Sequence, residues 1–122
     1  MRSFVSRAWM SAVLFGALSL AAKTNYVDWQ ATGTGDGTSW TDAYTTIQAA
    51  VDDPLFGGGG DTIEVAGGLY AESVTLGASH SGLAGSPSRI VAKTGEAPVL
   101  DGGGTLLNGI SMADASYVEI DG

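Results

Sequence analysis

Residues 60–76 read GDTIEVAGGLYAESVTL, and this stretch decides the fold class. Apolar and polar residues alternate over 62–66 and again over 73–76, which is the pattern of short β-strands with one buried face. Between these segments lie Gly67 and Gly68, and glycine tolerates the backbone conformations that turns require. The stretch therefore predicts two short strands separated by a turn.

The same character continues toward the C-terminus. Further short alternating or apolar segments lie at 89–92, 98–100, 109–112 and 117–120. Turn-forming residues separate them, at 82–87, 95, 101–104 and 121–122. Six short strands are thus predicted, and the chain is predicted to be all-β.

Apolar residues of these strands recur at similar spacings. The pairs are Ile63 with Val99 and Val74 with Ile110, each 36 residues apart, and Ile90 with Val118, 28 residues apart. Such a recurrence favours a solenoid of two successive coils with three strands each, in which each coil pairs with its neighbours. An antiparallel sandwich is the alternative, and it would need hairpins with tight two-residue turns.

One helix is predicted before the strands. Residues 45–53 read TTIQAAVDD, with a threonine at 45 or 46 as the N-cap and Pro54 ending the helix. The apolar side chains Ile47, Ala50 and Val51 share one side. A helix of about two turns needs tertiary support, so this side must cover other structure. The preceding residues 26–44 are polar and turn-rich and predict a loop.

Residues 1–22 are predicted to be a secretory signal peptide. Arg2 and Arg7 precede an apolar run over 10–22, and Ser19-Leu20-Ala21 supplies small residues before the cut. The run is shorter than the roughly 20 residues of a spanning helix. The chain over 23–122 is therefore expected to be secreted, extracellular or at the cell surface, with the periplasm as a further location and no membrane span after cleavage. An uncleaved N-terminal anchor is the alternative.

The net charge and the absence of cysteine exclude several classes of binding partner and of functional site. The chain has 13 acidic and 5 basic residues and a net charge of −8, and loss of two arginines with the signal peptide makes it more negative. This argues against binding to nucleic acid or anionic lipid, because both require clustered lysine and arginine. The absence of cysteine excludes disulfides, cysteine-ligated zinc, iron–sulfur clusters and thiol nucleophiles.

The order of these segments resembles a known family, the pectin-lyase-like superfamily of right-handed parallel β-helix proteins. The segments that carry the resemblance are Tyr26-Val27-Asp28, GDGTSW at 35–40, TIQAAVDD at 46–53, GDTIEVAGGLYAESVTL at 60–76, SGLAGSPSRIVAKTGEAPVLDG at 81–102 and GISMADASYVEIDG at 109–122. The resemblance implies a solenoid whose first coil is capped by the short amphipathic helix at 45–53. It also implies that Trp40 and Tyr44 pack at that cap.

The function implied by the resemblance is carbohydrate-directed. The superfamily contains polysaccharide lyases, glycoside hydrolases, esterases, epimerases, phage tailspikes and adhesins, so its fold does not fix the chemistry. We expect a secreted protein that binds a polysaccharide or a cell-surface glycan, such as a lyase for acidic polysaccharide. A noncatalytic adhesive surface protein is the alternative. We also expect this chain to be an N-terminal fragment, with the catalytic residues, and any calcium site of the full-length protein, on later coils.

No catalytic or cofactor-binding residue is assigned within the chain, and metal binding is left open. Arg89 and Lys93 match no catalytic base of the superfamily and are interpreted as solvated charges at strand ends. Asp36 and Asp61 lie beside glycine-rich loops but lack the alternating acidic pattern of a calcium loop. The remaining candidates are interpreted as turn-forming or surface residues: Asp101, Asp114, Asp121 and His80.

Overall fold

A computed structural model describes residues 22–102 and 109–122 of the chain. Except for Ala22, the predicted signal peptide lies outside these residues. Within them, the elements in chain order are β1 (Thr24–Val27), α1 (Ile47–Val51), β2 (Thr62–Val65), β3 (Gly68–Tyr70), β4 (Val74–Leu76), a 3₁₀ helix (Ala78–His80), β5 (Ser88–Ala92), β6 (Pro98–Leu100), β7 (Ile110–Met112) and β8 (Val118–Asp121).

The strands form three parallel sheets. One has the order β1-β2-β5-β8, and two smaller ones pair β3 with β6 and β4 with β7. The chain enters the three sheets in turn with β2, β3 and β4, and again in the same order with β5, β6 and β7. Every pairing between the described strands is parallel, so the all-β prediction is confirmed and the antiparallel sandwich is wrong.

The strand register confirms one of the predicted neighbours and corrects the other two. Val74 pairs with Ile110, as predicted. The remaining neighbours differ from the predicted ones: Ile63 pairs with Ile90, Leu69 with Val99, Ser88 with Val118 and Ile90 with Ile120. The loops between strands are unequal in length, and parallel neighbours tolerate such inequality at little entropic cost. A single repeat length therefore does not describe this chain.

Two strands lie where turns or loops were predicted. Strand β1 includes the first residues of the predicted loop at 26–44, and β3 begins at Gly68, within the predicted turn. Gly68 has a φ of 136°, and a Cβ there would collide with the indole of Trp29. Both segments are strands because neighbouring strands β2 and β6 supply their hydrogen-bond partners, which overrides weak local propensity.

Helix α1 is shorter than predicted, and its apolar side faces the core. It covers five residues of the predicted range 45–53, and Thr46 is its N-cap, with Oγ1 accepting a hydrogen bond from Ala49 N at 3.2 Å. It packs against β1, β2 and β4. The helix and the strands share one hydrophobic cluster, whose buried members include Ile47, Ala50, Val51, Ile63, Val74 and Leu76.

The core is closed on the helix side and open on the β8 side. In the four-stranded sheet, Asn25, Ile63, Ile90 and Ile120 form one row in register. The exposed fraction along this row is 1%, 0%, 5% and 46%. An apolar cavity of about 110 Å³, lined in part by Leu100, Ile110 and Ile120, lies at the open side.

Candidate functional site

Polar groups cover the edges of the first strands on the helix side. Residues 37–44 run along β1: Tyr26 N donates to Gly37 O at 3.0 Å, Tyr44 N donates to Tyr26 O at 2.9 Å, and Asp28 N donates to Tyr44 O at 2.8 Å. Because β2 occupies the other edge of β1, both edges of this strand are paired. An edge satisfied in this way does not offer a template for another strand.

The side chain of Gln48 in α1 satisfies the edge of β4 in the same way, and Glu72 satisfies the N-terminus of α1. The Gln48 amide pairs with the backbone of Thr75, whose N–H donates to Gln48 Oε1 at 2.8 Å and whose carbonyl accepts from Nε2 at 3.2 Å. Glu72 accepts from the first helical amides, with Oε2 2.7 Å from Ile47 N and Oε1 3.0 Å from Gln48 N. Amides at a helix N-terminus need such acceptors.

Asp53 is the centre of a buried network beneath this cover. Its Oδ2 accepts hydrogen bonds from Lys23 Nζ at 2.8 Å, Asn25 Nδ2 at 3.2 Å and Tyr44 Oη at 2.9 Å. Its Oδ1 accepts from Leu55 N at 2.9 Å. Burial acts to raise the pKa of Asp53, but the hydrogen bonds from Lys23, Leu55 and Tyr44 outweigh it and lower the pKa. The group is therefore a structural carboxylate.

Tyr44 should titrate late in this network. Burial, and next the hydrogen bond to Asp53, raise its pKa from 10.0 to about 12, so folding favours the neutral phenol. The stability that Tyr44 supplies is complete below about pH 10 and is lost as the pH rises through about 12. Burial also raises the pKa of Tyr70 to about 12.

A spectrophotometric titration of phenolate absorbance tests this. Tyr44→Phe should remove part of the late step and leave the contribution of Tyr70. The matched comparison is Tyr70→Phe, which should remove the other part of the late step and leave the contribution of Tyr44. An unchanged late step in Tyr44→Phe would contradict the assignment.

A second group of side chains lies at the outer face of the four-stranded sheet. Tyr26 is in register there with Glu64 of β2 and Val91 of β5. Trp40 packs on Tyr26 with ring centroids 4.8 Å apart, and Lys93 Nζ lies 4.3 Å from the centre of the Trp40 ring. We call Tyr26, Trp40 and Lys93 the aromatic patch.

The aromatic patch corrects one expectation. Tyr44 packs against the core as expected, but Trp40 lies on the outer face, half-buried, where Tyr26 and Lys93 hold it. Lys93 Nζ also lies 3.4 Å from Glu96 Oε2, an exposed ion pair that contributes little stability. Glu96 Oε1 accepts from Gly67 N at 2.7 Å, and this bond lowers the pKa of Glu96.

The carboxylates weighed for calcium serve local structure. Thr38 donates to Asp36 Oδ1 through its backbone N at 3.0 Å and through Oγ1 at 2.7 Å, which lowers the pKa of Asp36. Asp61 is buried and accepts from Lys23 N at 2.8 Å and Gly57 N at 3.0 Å. Within 22–102 and 109–122, no three His, Cys, Asp or Glu residues are grouped to hold a metal ion.

The other charged candidates lie apart from the aromatic patch or serve strand pairing. Arg89 and Glu119 are register partners on β5 and β8 and form an exposed ion pair of 2.7 Å. Asp114 has a φ of 64° in a bend, as a turn residue should, whereas Asp121 belongs to β8 and not to a turn. His80 Nδ1 accepts from Gly77 N at 2.8 Å and so closes a local turn.

The chain matches no protein-family model, no curated protein and no solved structure. Among the described residues, no helix has the length and apolar character needed to cross a membrane.

Sequence reasoning named most of these residues without their partners. Trp40, Tyr44 and Asp61 were singled out, but not Asp53 or its contacts with Lys23 and Asn25, which lie 30 and 28 residues away. The contacts of Glu72 with the N-terminus of α1 and of Gln48 with β4 were also missed. A glutamate between two predicted strands and a glutamine on a predicted helix carry no local signal of such contacts.

Proposed function

We propose that the chain forms the capped first coils of a right-handed parallel β-helix of the pectin-lyase-like type, and that the protein is secreted and directed to carbohydrate. Two features support the fold. The chain returns to the same three sheets in the same order, and crossovers between parallel strands are right-handed in nearly all proteins.

The polar cover on the helix side supports the capping role. Residues 37–44 satisfy the edge of β1, and Gln48 satisfies the edge of β4. The inward row begins with Asn25, whose Nδ2 donates to Asp53 at 3.2 Å and to Ala50 O at 3.4 Å, where the next strands place isoleucine. Solenoids need such polar terminal units to protect their edges and interior.

The observation that carries the carbohydrate proposal is the aromatic patch on the outer face of a parallel sheet. The indole of Trp40 offers an apolar surface, and Lys93 places a cation over one face of the ring, with Nζ 4.3 Å from its centre. A pyranose ring has an apolar face that can stack on an indole, and a uronate carboxylate can replace Glu96 as the partner of Lys93. Because the exposed Lys93–Glu96 ion pair is weak, replacing Glu96 with a uronate carboxylate costs little free energy.

The hydrogen bonds that the carboxylates accept from the backbone favour the noncatalytic alternative for this part of the protein. Asp36, Asp53, Asp61, Glu72 and Glu96 each accept hydrogen bonds from backbone amides. A glycoside hydrolase or lyase needs carboxylates or a base that face substrate. In this alternative the patch attaches the protein to a glycan without cleaving it.

Binding to immobilised polygalacturonate tests the proposal, with its methyl-esterified form as the neutral probe. We expect the protein to bind polygalacturonate, and Trp40→Ala to weaken this binding about tenfold, which corresponds to about 1.4 kcal/mol. Lys93→Ala should weaken binding to polygalacturonate more than to the methyl ester.

Trp29→Ala is the matched control, because Trp29 is 48% exposed and lies outside the aromatic patch. It should bind as the parent protein does. Equal binding by Trp40→Ala and the parent, or no binding by the parent to either polymer, would contradict the proposal. Release of unsaturated oligosaccharides from the same polymer would favour the lyase, and retention without release would favour the adhesive protein.

A further inference from the structure

The buried carboxylate of Asp61 lacks a cationic partner within the described residues. Asp61 is 5% exposed, and its two oxygens accept only backbone amides, from Lys23 at 2.8 Å and from Gly57 at 3.0 Å. The ion pairs of the described chain involve Asp53, Glu96 and Glu119 instead. A buried carboxylate without a counterion is costly unless it is well paired.

The nitrogen that approaches Asp61 lies at the boundary of the predicted signal peptide. Lys23 follows directly on residues 1–22, and its side chain is already held by Asp53, with Nζ 2.8 Å from Oδ2. Lys23 is thus held at both ends, by Asp53 at its ammonium and by Asp61 at its backbone nitrogen. Ala22, next to it, is exposed.

We propose that Asp61 is the binding site for the α-ammonium that signal-peptide removal creates. Cleavage after Ala22 turns Lys23 N from a neutral amide into a cation at the position that now lies 2.8 Å from Asp61 Oδ1. Asp61 then gains its missing counterion, and a charge-assisted hydrogen bond replaces a neutral one. Cleavage after Ala21 instead leaves Lys23 N a neutral amide.

Processing and folding are thereby coupled. Among the described residues, the unprocessed chain offers Asp61 only neutral amides, while the processed chain offers it an ammonium. The processed form is therefore the more stable of the two. This inference rests on the proposed secretion, since an exported and cleaved chain is required.

Intact-mass analysis of the exported protein tests the proposed secretion separately from the binding of the α-ammonium by Asp61. A mass that begins at Lys23 supports both. A mass that begins at Ala22 supports the secretion but leaves Lys23 N a neutral amide, which overturns the inference alone. A protein that still begins at Met1 contradicts the proposed secretion. A protein that begins after Lys23 is secreted but has lost the residue that Asp61 holds, which overturns the inference alone.

Thermal unfolding then tests the ion pair. The processed protein is compared with a form extended upstream to Ser19, which moves the α-ammonium away from Asp61. We expect the extension to lower the midpoint by about 4 °C or more. The same extension in Asp61→Asn should have little effect, because the carboxylate charge is gone. An equal shift in both backgrounds would overturn the inference.

A second readout does not depend on the folding of the Asp61 variant. The rate at which an acylating reagent modifies the α-amine is measured by peptide mapping in the processed and the extended protein. An α-amine bound to a buried carboxylate should react about tenfold more slowly, which corresponds to about 1.4 kcal/mol. Equal rates in the two forms would show that Asp61 does not hold the N-terminus.

Discussion

Replacing Ile63 with aspartate should abolish the folded state. Ile63 is fully buried, and its register neighbours in the same inward row are Asn25 and Ile90. The substitution removes an apolar side chain, at a cost of about 2–5 kcal/mol for truncation alone. It also places a carboxylate in the hydrophobic cluster, beside Asn25 and Ile90, neither of which can act as a counterion. Together these costs approach the whole stability of a typical domain, about 5–15 kcal/mol.

Circular dichroism and thermal unfolding measure this effect. Ile63→Asp should show no cooperative transition at 25 °C or above. The control is Thr62→Asp on the same strand, because Thr62 is only half-buried and is the register partner of Arg89. That variant should unfold with a midpoint close to that of the parent. Similar midpoints for the two variants would contradict the assignment of inward and outward faces.

Replacing Asp53 with alanine should have the second largest effect. The change leaves Lys23 Nζ, Asn25 Nδ2 and Tyr44 Oη without their shared acceptor in a site where the Asp53 side chain is 6% exposed. Breaking a buried ion pair by removing one partner costs about 3–5 kcal/mol. Lys23 is 29% exposed and partly recovers its hydration, so we expect about 3 kcal/mol.

Urea unfolding at neutral pH checks this value, and Asp52→Ala is the matched control. Asp52 is exposed, and its side chain accepts from Gln48 Nε2 at 3.0 Å. Its removal should cost less than about 1 kcal/mol. A loss for Asp53→Ala no greater than for Asp52→Ala would show that the buried network does not stabilise the fold.

The same network predicts an acid dependence. The pKa of Asp53 is lowered from 3.8 in the folded chain, so its stabilisation is present above that value. It is lost as the pH falls through the lower, folded-state pKa. The parent protein should therefore lose stability in acid more steeply than Asp53→Ala does.

The fold class could be predicted because it depends on local patterns of apolar and polar residues. Alternation over 62–66 and 73–76 identified β2 and β4, and one of the three spacings identified Val74 and Ile110 as register partners. Strands β1 and β3 carry weaker patterns. In β1 the inward residues are Asn25 and Val27, of which the first is polar, and β3 begins with glycine, so neither segment has the apolar alternation of a typical half-buried strand.

The candidate site could be predicted only in part, because its contacts are long-range. Trp40 lies 14 residues from Tyr26 and 53 residues from Lys93, and strand pairing brings these residues to one face. Tyr44 followed the expected packing because an aromatic residue beside an amphipathic helix usually joins its core. For Trp40 the path of residues 37–44 along β1 decides the position, and that path depends on backbone hydrogen bonds to Tyr26.

The parallel, in-register pairing of β4 with β7 is the central claim, and a cysteine pair tests it most directly. The chain has no cysteine of its own. Thr75 and Ser111 are register partners 36 residues apart. Neighbouring strands lie about 4.8 Å apart, within the Cα separation of about 4.4–6.8 Å that disulfides require. The variant Thr75→Cys/Ser111→Cys should therefore form an intramolecular disulfide in the folded protein.

The control variant Thr75→Cys/Ala113→Cys shifts one cysteine two residues along the chain. That separation exceeds about 7 Å, beyond which a disulfide does not close without backbone movement. Thiol titration and non-reducing electrophoresis of the folded variants give the answer. A disulfide in the first variant and free thiols in the second are the predicted result. Free thiols in the first variant, or a disulfide in the second, would contradict the parallel register.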